Sequence, residues 1–167
     1  NTRKKFLNSP GFRIQLDNML DDKEILRSSY QDDKAATDIT GPFLRKYGIY
    51  DEDLIDRVGT HQEILDNLTT LGYDYNKEKG ILSWIDHKSG KHEKASLVFI
   101  YNKNFVDASS REMHAIQEII SNFKKFGIEI DLEGLNRTIF DDRIKSPDSW
   151  DIAFVRRIFS YNNNITP

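Results

Sequence analysis

The chain has 167 residues, with 24 lysines and arginines against 27 aspartates and glutamates, so its formal net charge is −3. This balance excludes a strongly basic protein whose affinity for nucleic acid comes mainly from neutralising phosphates, and the length favours one domain with a sizeable core. The absence of cysteine excludes disulfides, thiolate nucleophiles and Cys-ligated metal sites.

Two helices are predicted near the amino terminus. Ser9 followed by Pro10 is typical of a helix start, and apolar residues then recur at helical spacing. Asp22 is expected to cap a second helix. Glycine and proline residues then predict an irregular stretch over 41–59.

The middle of the chain changes from a helical to a strand pattern. Thr60 and Glu63 have the spacing of a capping box, and the helix that they start is predicted to end at Gly72. The runs 81–85 and 95–101 read as strands on either side of a polar turn. We expect them to pair as a hairpin.

Alternating strands and helices are predicted for the last third. Ser109 and Glu112 form a second capping box, which starts a helix ending before Gly127. A strand, a short helix and a buried strand are predicted to follow, at 128–132, 139–144 and 150–155. This β-α-β-α-β order from residue 95 implies an at least partly parallel sheet with right-handed crossovers and helices on its faces.

The sequence lacks the common catalytic and metal-binding motifs. Glycine-rich phosphate loops, paired histidines on one helix and the G-x-S-x-G elbow are all missing. A calcium loop that starts at Asp51 needs glycine at its sixth position, where Asp56 stands. His87 and His92 fit a solvated turn. The pair Asp141-Asp142 fits an exposed helix surface. We therefore expect no catalytic residues, no metal and no cofactor.

Arg156 and Arg157 are the strongest binding candidates that the residues themselves offer. They directly follow the predicted strand 150–155, where open α/β sheets place ligands. Tyr161 and the adjacent asparagines add an aromatic ring and amides. The alternative is a pair of surface arginines.

Four segments resemble one family in the same order and spacing. The amino-terminal segment resembles "N-t-k-k-p…R-q-A-l…a-i-D-r-e-x-i", and the later ones resemble "A-k-x-L-L-x-x-A-G-Y", "L-k-k-i-G-I-k-v" and "y-D-l-a". The segments are residues 1–26, 64–73, 123–130 and 149–153. The family is that of bacterial extracellular solute-binding proteins of the family 5 type, typified by oligopeptide- and dipeptide-binding proteins of ABC importers.

The resemblance implies an α/β fold, a type II periplasmic-binding-protein-like lobe with helices packed on a mixed sheet. Residues 1–167 would form a single domain, a partial lobe with a helical and hairpin part (1–94) and a β-α-β-α-β part (95–155). Two such lobes would close on a peptide or similar small solute. The receptor would be periplasmic or at the cell surface, lipid-anchored, and would deliver the solute to an ABC permease. We expect no nucleic-acid partner and a monomeric fragment.

The resemblance also predicts ligand-binding residues. Many members carry "G-W-x-x-D-Y" after the last strand, and its acid can meet the amino terminus of a ligand. Here Tyr161 is kept, Ser160 replaces the acid and Arg157 replaces the tryptophan. With Arg156, these residues would favour a carboxylate or another anionic group. Two further readings stay open: a ligand-sensing domain of a regulator, and a small α/β enzyme with catalytic groups at its strand ends.

Overall fold

A computed structural model describes residues 7, 9–30, 59–86 and 89–155. The described part consists of five α-helices, six β-strands and one short 3-10 turn. In chain order they are α1 (Pro10–Asn18), α2 (Asp22–Tyr30), α3 (His61–Thr70), β1 (Tyr73–Asn76), β2 (Ile81–Asp86), β3 (Lys91–Lys94), β4 (Ser96–Asn102), α4 (Arg111–Lys125), β5 (Glu129–Leu135), α5 (Arg137–Ile144), the 3-10 turn (Pro147–Ser149) and β6 (Ile152–Phe154). The predicted loop over 41–59 lies outside the described residues except at its last position.

The predicted start of α1 is confirmed, and that of α2 is wrong by one residue. The Ser9 hydroxyl oxygen accepts a hydrogen bond from the backbone N–H of Phe12 at 3.3 Å. In α2 it is the carboxylate of Asp21 that accepts from the N–H of Glu24, at 2.9 Å. A cap precedes the first helical residue and reaches the N–H three positions on, so Asp22 becomes that first residue.

The predicted caps of α3 and α4 also include one that is confirmed and one that is wrong. The capping box of α3 is confirmed, because the Thr60 hydroxyl accepts from the N–H of Glu63 and the Glu63 carboxylate accepts from the N–H of Thr60. The capping box predicted at Ser109 is wrong. Ser110 accepts from the N–H of Met113 at 3.1 Å, while Ser109 is used in the preceding turn.

The first sheet is antiparallel, in the order β1-β2-β3. The predicted hairpin between 81–85 and 95–101 is wrong, because β2 pairs with β3 across the turn and β4 lies in the other sheet. Ala95 marks the crossing point: its N–H donates to the Leu82 carbonyl at 2.8 Å, and its carbonyl accepts from the Glu129 N–H at 2.9 Å. The run predicted as one strand therefore begins by joining two sheets.

The second sheet is parallel, in the order β5-β4-β6. This confirms the β-α-β-α-β order and the parallel pairing predicted from the sequence. β6 is half-buried along its length, because it has a neighbour on one side only. The prediction of a fully buried last strand is wrong in that respect. The handedness of the crossovers stays a prediction.

The core has two clusters of buried apolar side chains. One spans α1, α3, the first sheet and the end of α4, and within it Phe12 stacks on Tyr73 with 4.7 Å between ring centroids. The other lies between α4 and the second sheet, around Phe99 and Ile116. The first cluster includes Leu82 and Leu97, one from each sheet, so apolar burial joins the sheets. The division at residue 94 stays a prediction.

None of the helices in the described ranges combines the length and the apolar character that crossing a bilayer requires.

Candidate functional site

The carboxyl edge of the second sheet is the place where the topology favours a site. The three parallel strands end there together, since Asn102 is paired with Leu135 and Tyr101 is paired with Phe154. Ligands of open α/β sheets bind outside the carboxyl ends of the strands. The loop after β4, the first turn of α5 and Val155 meet at this edge, which we call the strand-end edge.

Asn102 is the last residue of the central strand and is only 6% exposed. Its side-chain oxygen accepts a hydrogen bond from the backbone N–H of Asn104 at 3.0 Å. No described residue accepts a hydrogen bond from its side-chain nitrogen. Among the described side chains, the completely enclosed polar atom without a partner is the Ser29 hydroxyl oxygen, so the Asn102 nitrogen keeps contact with solvent.

Asn104 connects the loop after β4 to the beginning of α5. Its side-chain oxygen accepts from the backbone N–H of Arg137 at 2.8 Å. Asn136 caps the same helix by accepting from the N–H of Ile139 at 3.0 Å. These two bonds fix the first turn of α5 against the strand-end edge.

The Arg137 side chain is exposed beside this turn. Its guanidinium carbon lies 6.0 Å from the centre of the Phe105 ring, within the range of a cation–π contact. Its Nε lies 3.8 Å from the Asp141 carboxylate, and both side chains are more than half exposed. This weak exposed ion pair leaves a positive charge facing solvent.

Apolar side chains are unusually exposed at the same edge. Phe105, Ile139 and Val155 are each about half exposed. The fourth large apolar side chain of comparable exposure in the described part is Ile14, on α1. Binding pockets are mostly apolar with a few placed polar groups, and the strand-end edge has both.

Asp107 supplies a negative charge in the loop between β4 and α4. Its carboxylate accepts hydrogen bonds from the hydroxyl and the backbone N–H of Ser109, each at 2.9 Å. These bonds lower the pKa of Asp107 below its ordinary value of 3.8. The carboxylate is therefore ionised at neutral pH and is engaged in its own turn.

Gly134 lets Tyr101 lie across the neighbouring strand near this edge. A Cβ atom at position 134 would be 2.6 Å from the Tyr101 hydroxyl oxygen, much closer than van der Waals contact allows. Glycine inside a strand marks such close approaches.

Asp151 determines where β6 lies. Its carboxylate accepts from the backbone N–H of Val98 at 2.8 Å, and its own N–H donates to the Val98 carbonyl at 2.9 Å. These bonds attach the chain to β4 immediately before β6 begins. Val155 consequently lies at the strand-end edge.

Arg143 fixes the connection from α5 to β6. Its guanidinium donates to the Glu133 carboxylate on β5 and, at 2.8 Å, to the Ser149 carbonyl. Trp150 adds a bond from its indole N–H to the Arg143 carbonyl at 2.9 Å.

The four predicted ligand-binding residues, Arg156, Arg157, Ser160 and Tyr161, lie outside the described residues. Their assignment stays a prediction, and the structure contributes the position of Val155 immediately before them. Sequence reasoning missed Asn102, Asn104 and Arg137. An asparagine that ends an apolar run was the available signal for Asn102.

The other candidates are ordinary surface residues. Asp141 and Asp142 are exposed on α5, as predicted, and His92 is exposed on β3. His87 lies outside the described residues. Across the described ranges, no three His, Asp or Glu side chains lie close enough together to hold a metal ion.

Solved structures of binding proteins match this fold. The oligopeptide-binding protein AppA from Bacillus subtilis, in complex with a nonapeptide, aligns over 92% of this chain with a TM-score of 0.72 and 17% identity. The chain has the fold of one lobe of such a protein. The ABC transporter substrate-binding protein CtaP from Listeria monocytogenes aligns over 92% of this chain with a TM-score of 0.66 and 15% identity.

A third similar structure is the periplasmic oligopeptide-binding protein of an ABC transporter from Thermotoga maritima. It aligns over 85% of this chain with a TM-score of 0.61 and 22% identity. This chain covers 29%, 27% and 26% of the three matched chains, in the order given. The first and the third are oligopeptide-binding proteins, and the second and the third belong to ABC transporters. No family model matches the sequence, and no curated protein matches it.

Proposed function

We propose that this chain is one lobe of the substrate-binding component of an ABC importer, and that it binds a peptide or a similar small solute between two lobes. The proposal is supported by one observation, which is that the lobe fold and a strand-end edge suited to a ligand occur together. The chain has the fold of a lobe of the oligopeptide-binding type, and its parallel strands end at a surface with exposed apolar side chains, a buried amide and an exposed cationic side chain.

The size of the chain supports a role as part of a larger receptor. It spans between a quarter and a third of the length of the three matched structures. Half of a clamp buries only one side of a ligand, so we expect strong binding only when both lobes are present.

The ligand-binding residues of the proposal are Arg156, Arg157, Ser160 and Tyr161, together with the strand-end edge that precedes them. Two arginines and no acid at this position favour an anionic group of the solute, such as a carboxylate. In this proposal the lobe has no catalytic role and no cofactor, because the work is done by closure around the ligand.

The proposed partner is an ABC permease, and the proposed location is the periplasm or the outer cell surface. Lipid anchoring of the full-length protein belongs to the same proposal. Delivery to a permease requires the closed, liganded form to differ from the open form, which hinge closure provides.

The test is ligand binding by the full-length protein. Native mass spectrometry of the purified protein should reveal a co-purified peptide or other solute, and titration calorimetry with defined nonapeptides should give saturable binding. Replacing both Arg156 and Arg157 by alanine should weaken binding about tenfold or more, since each charge-assisted hydrogen bond contributes roughly 1.5–3 kcal/mol.

A matched control removes two positive charges from another part of the chain. Replacing Lys124 and Lys125, which carry the basic charge of the last turn of α4, by alanine should leave the affinity within about threefold, because exposed charges distant from the ligand are screened. Unchanged affinity in the Arg156/Arg157 variant would remove these residues from the site. Turnover of a substrate by the purified protein would contradict the assignment as a binding lobe.

A further inference from the structure

Only one of the two hydrogen-bonding groups of the Asn102 side chain has a partner in the described part of the protein. Its oxygen holds the loop after β4 by accepting from the N–H of Asn104. An aspartate would perform that task equally well, because the turn needs an acceptor and nothing else. The turn therefore explains the oxygen of Asn102 and leaves its NH2 group without a function.

That NH2 group is the part of a largely buried side chain that keeps contact with solvent. The residue is 94% shielded from solvent, from its exposure of 6%, and the structure shows no acceptor for the nitrogen among the described residues. A donor held in this way at the end of the central strand is prepared for an acceptor that arrives from outside.

We propose that the Asn102 side-chain NH2 donates a hydrogen bond to an oxygen of the bound solute, either a peptide carbonyl or a carboxylate. This inference rests on the function proposed above and extends it, because it names a ligand-binding residue at the strand-end edge and the ligand group that the residue selects.

The NH2 group of Asn102 can only donate, so it selects an oxygen acceptor over an ammonium group, which is itself a donor. Arg137 provides an exposed positive charge at the same edge, and Asn104 connects it to the loop of Asn102. The nearby carboxylate of Asp107 is occupied by Ser109, and that of Asp141 lies 3.8 Å from Arg137. Phe105 offers a half-exposed ring for an apolar part of the solute.

The decisive variant is Asn102→Asp in the full-length protein. It keeps the oxygen that accepts from Asn104 and exchanges the NH2 donor for a second acceptor, so the fold is retained while the donor is lost. Asn122→Asp on α4 is the matched control: Asn122 is also buried, and the variant introduces the same charge while keeping the oxygen that accepts from Lys125 at 2.9 Å. Thermal unfolding of both variants checks that the fold is intact.

The probes are defined nonapeptides, each with a free and with an amidated carboxyl end, measured by titration calorimetry. Asn102→Asp should weaken binding about tenfold or more, and Asn122→Asp should leave it within about threefold. A loss that is equal for both peptide forms assigns the acceptor to a backbone carbonyl. A loss confined to the free-carboxyl form assigns it to the terminal carboxylate.

An independent measurement on the unmodified protein uses selective ¹⁵N labelling of asparagine. The side-chain NH2 resonances of Asn102, assigned by comparison with Asn102→Asp or, should that variant not fold, with Asn102→Ser, should shift when a nonapeptide is added. Equal affinities of the wild type and Asn102→Asp, or resonances that do not move on binding, overturn this inference and leave the proposed function intact. Failure of the wild-type full-length protein both to bind any peptide and to co-purify with any other small solute overturns the proposed function itself.

Discussion

Gly127 ends α4 under two separate constraints. Its backbone φ is +74°, a conformation that residues with a side chain rarely adopt. A Cβ atom there would also lie 2.6 Å from the backbone nitrogen of Leu82. That nitrogen donates to the Gly127 carbonyl at 2.9 Å, so the close approach is what connects α4 to the first sheet.

Gly127→Ala should therefore destabilise the protein by at least about 2 kcal/mol, from left-handed strain and a contact with backbone that cannot move aside. The matched control is Gly90→Ala, because Gly90 has φ +65° and open space around it. The control should lose only about 1 kcal/mol. Urea denaturation of both variants measures the difference, and equal losses would show that the contact with Leu82 contributes nothing.

Helix caps show how far residue-scale sequence reasoning reaches. It identified Ser9 and Thr60 correctly and missed the caps of α2 and α4 by one residue. In both misses two capping residues stand next to each other, Asp21-Asp22 and Ser109-Ser110. The choice between neighbours depends on which one the preceding turn already uses, and that is not visible in a capping pattern.

At the scale of elements, the position of β6 depends on the Asp151 side chain, which takes the place of a backbone acceptor between strands. Asp151 accepts from the Val98 N–H before β6 begins. Asp151→Ala would leave that N–H without its acceptor and should cost about 1–3 kcal/mol. Asp151→Asn keeps an oxygen at the same place and should cost clearly less. Chemical denaturation compares the two, and an equal loss would mean that the Val98 bond does not contribute.

A second element-scale prediction concerns Arg143, which joins β5 to the segment before β6. Both members of its ion pair with Glu133 are partly buried, so Arg143→Met should destabilise by about 1–3 kcal/mol by leaving the Glu133 carboxylate and the Ser149 carbonyl without this donor.

The control for Arg143 is Lys145→Met. Lys145 pairs with Asp142 at 3.6 Å on the exposed surface of α5, and its loss should change the free energy of unfolding by less than about 0.5 kcal/mol. Both variants are measured by denaturation in low salt. A larger effect for Lys145 than for Arg143 would contradict the distinction between buried and exposed pairs.

At the scale of the whole molecule, Tyr73 couples the amino-terminal helix to the first sheet. It is buried and stacks on Phe12. Burial disfavours its charged form and raises its pKa above the ordinary value of 10.0. Well below pH 10 the phenol is neutral in both the folded and the unfolded state, so its contribution to stability is complete there.

As the pH rises above 10, only the unfolded state gains the phenolate, so the stability due to Tyr73 should fall. Thermal unfolding of the wild type should show a steeper loss above pH 10 than that of Tyr73→Phe, which keeps the stacked ring and lacks the titrating hydroxyl. The comparison uses the pH dependence of each protein rather than absolute stabilities. Parallel curves would contradict the prediction.

The proposed two-lobed receptor accounts for most of the large apolar side chains that are exposed in the described part of the chain. The apolar side chains at the strand-end edge belong to a face that a second lobe and a ligand would cover in the proposed receptor.

The sequence by itself determined the helices α1, α3, α4 and α5, four of the six described strands and the β-α-β-α-β order, because capping residues and apolar periodicity act over a few neighbouring positions. It missed β1 and β3. It did not determine which strands pair. β2 pairs with β1 and β3 and not with β4. Strand pairing depends on contacts between residues that are distant in the chain, such as those of Ala95 with Leu82 and Glu129. The same holds for the site: only the tertiary structure placed Asn102, Asn104 and Arg137 at one edge, because their proximity follows from parallel strands ending together.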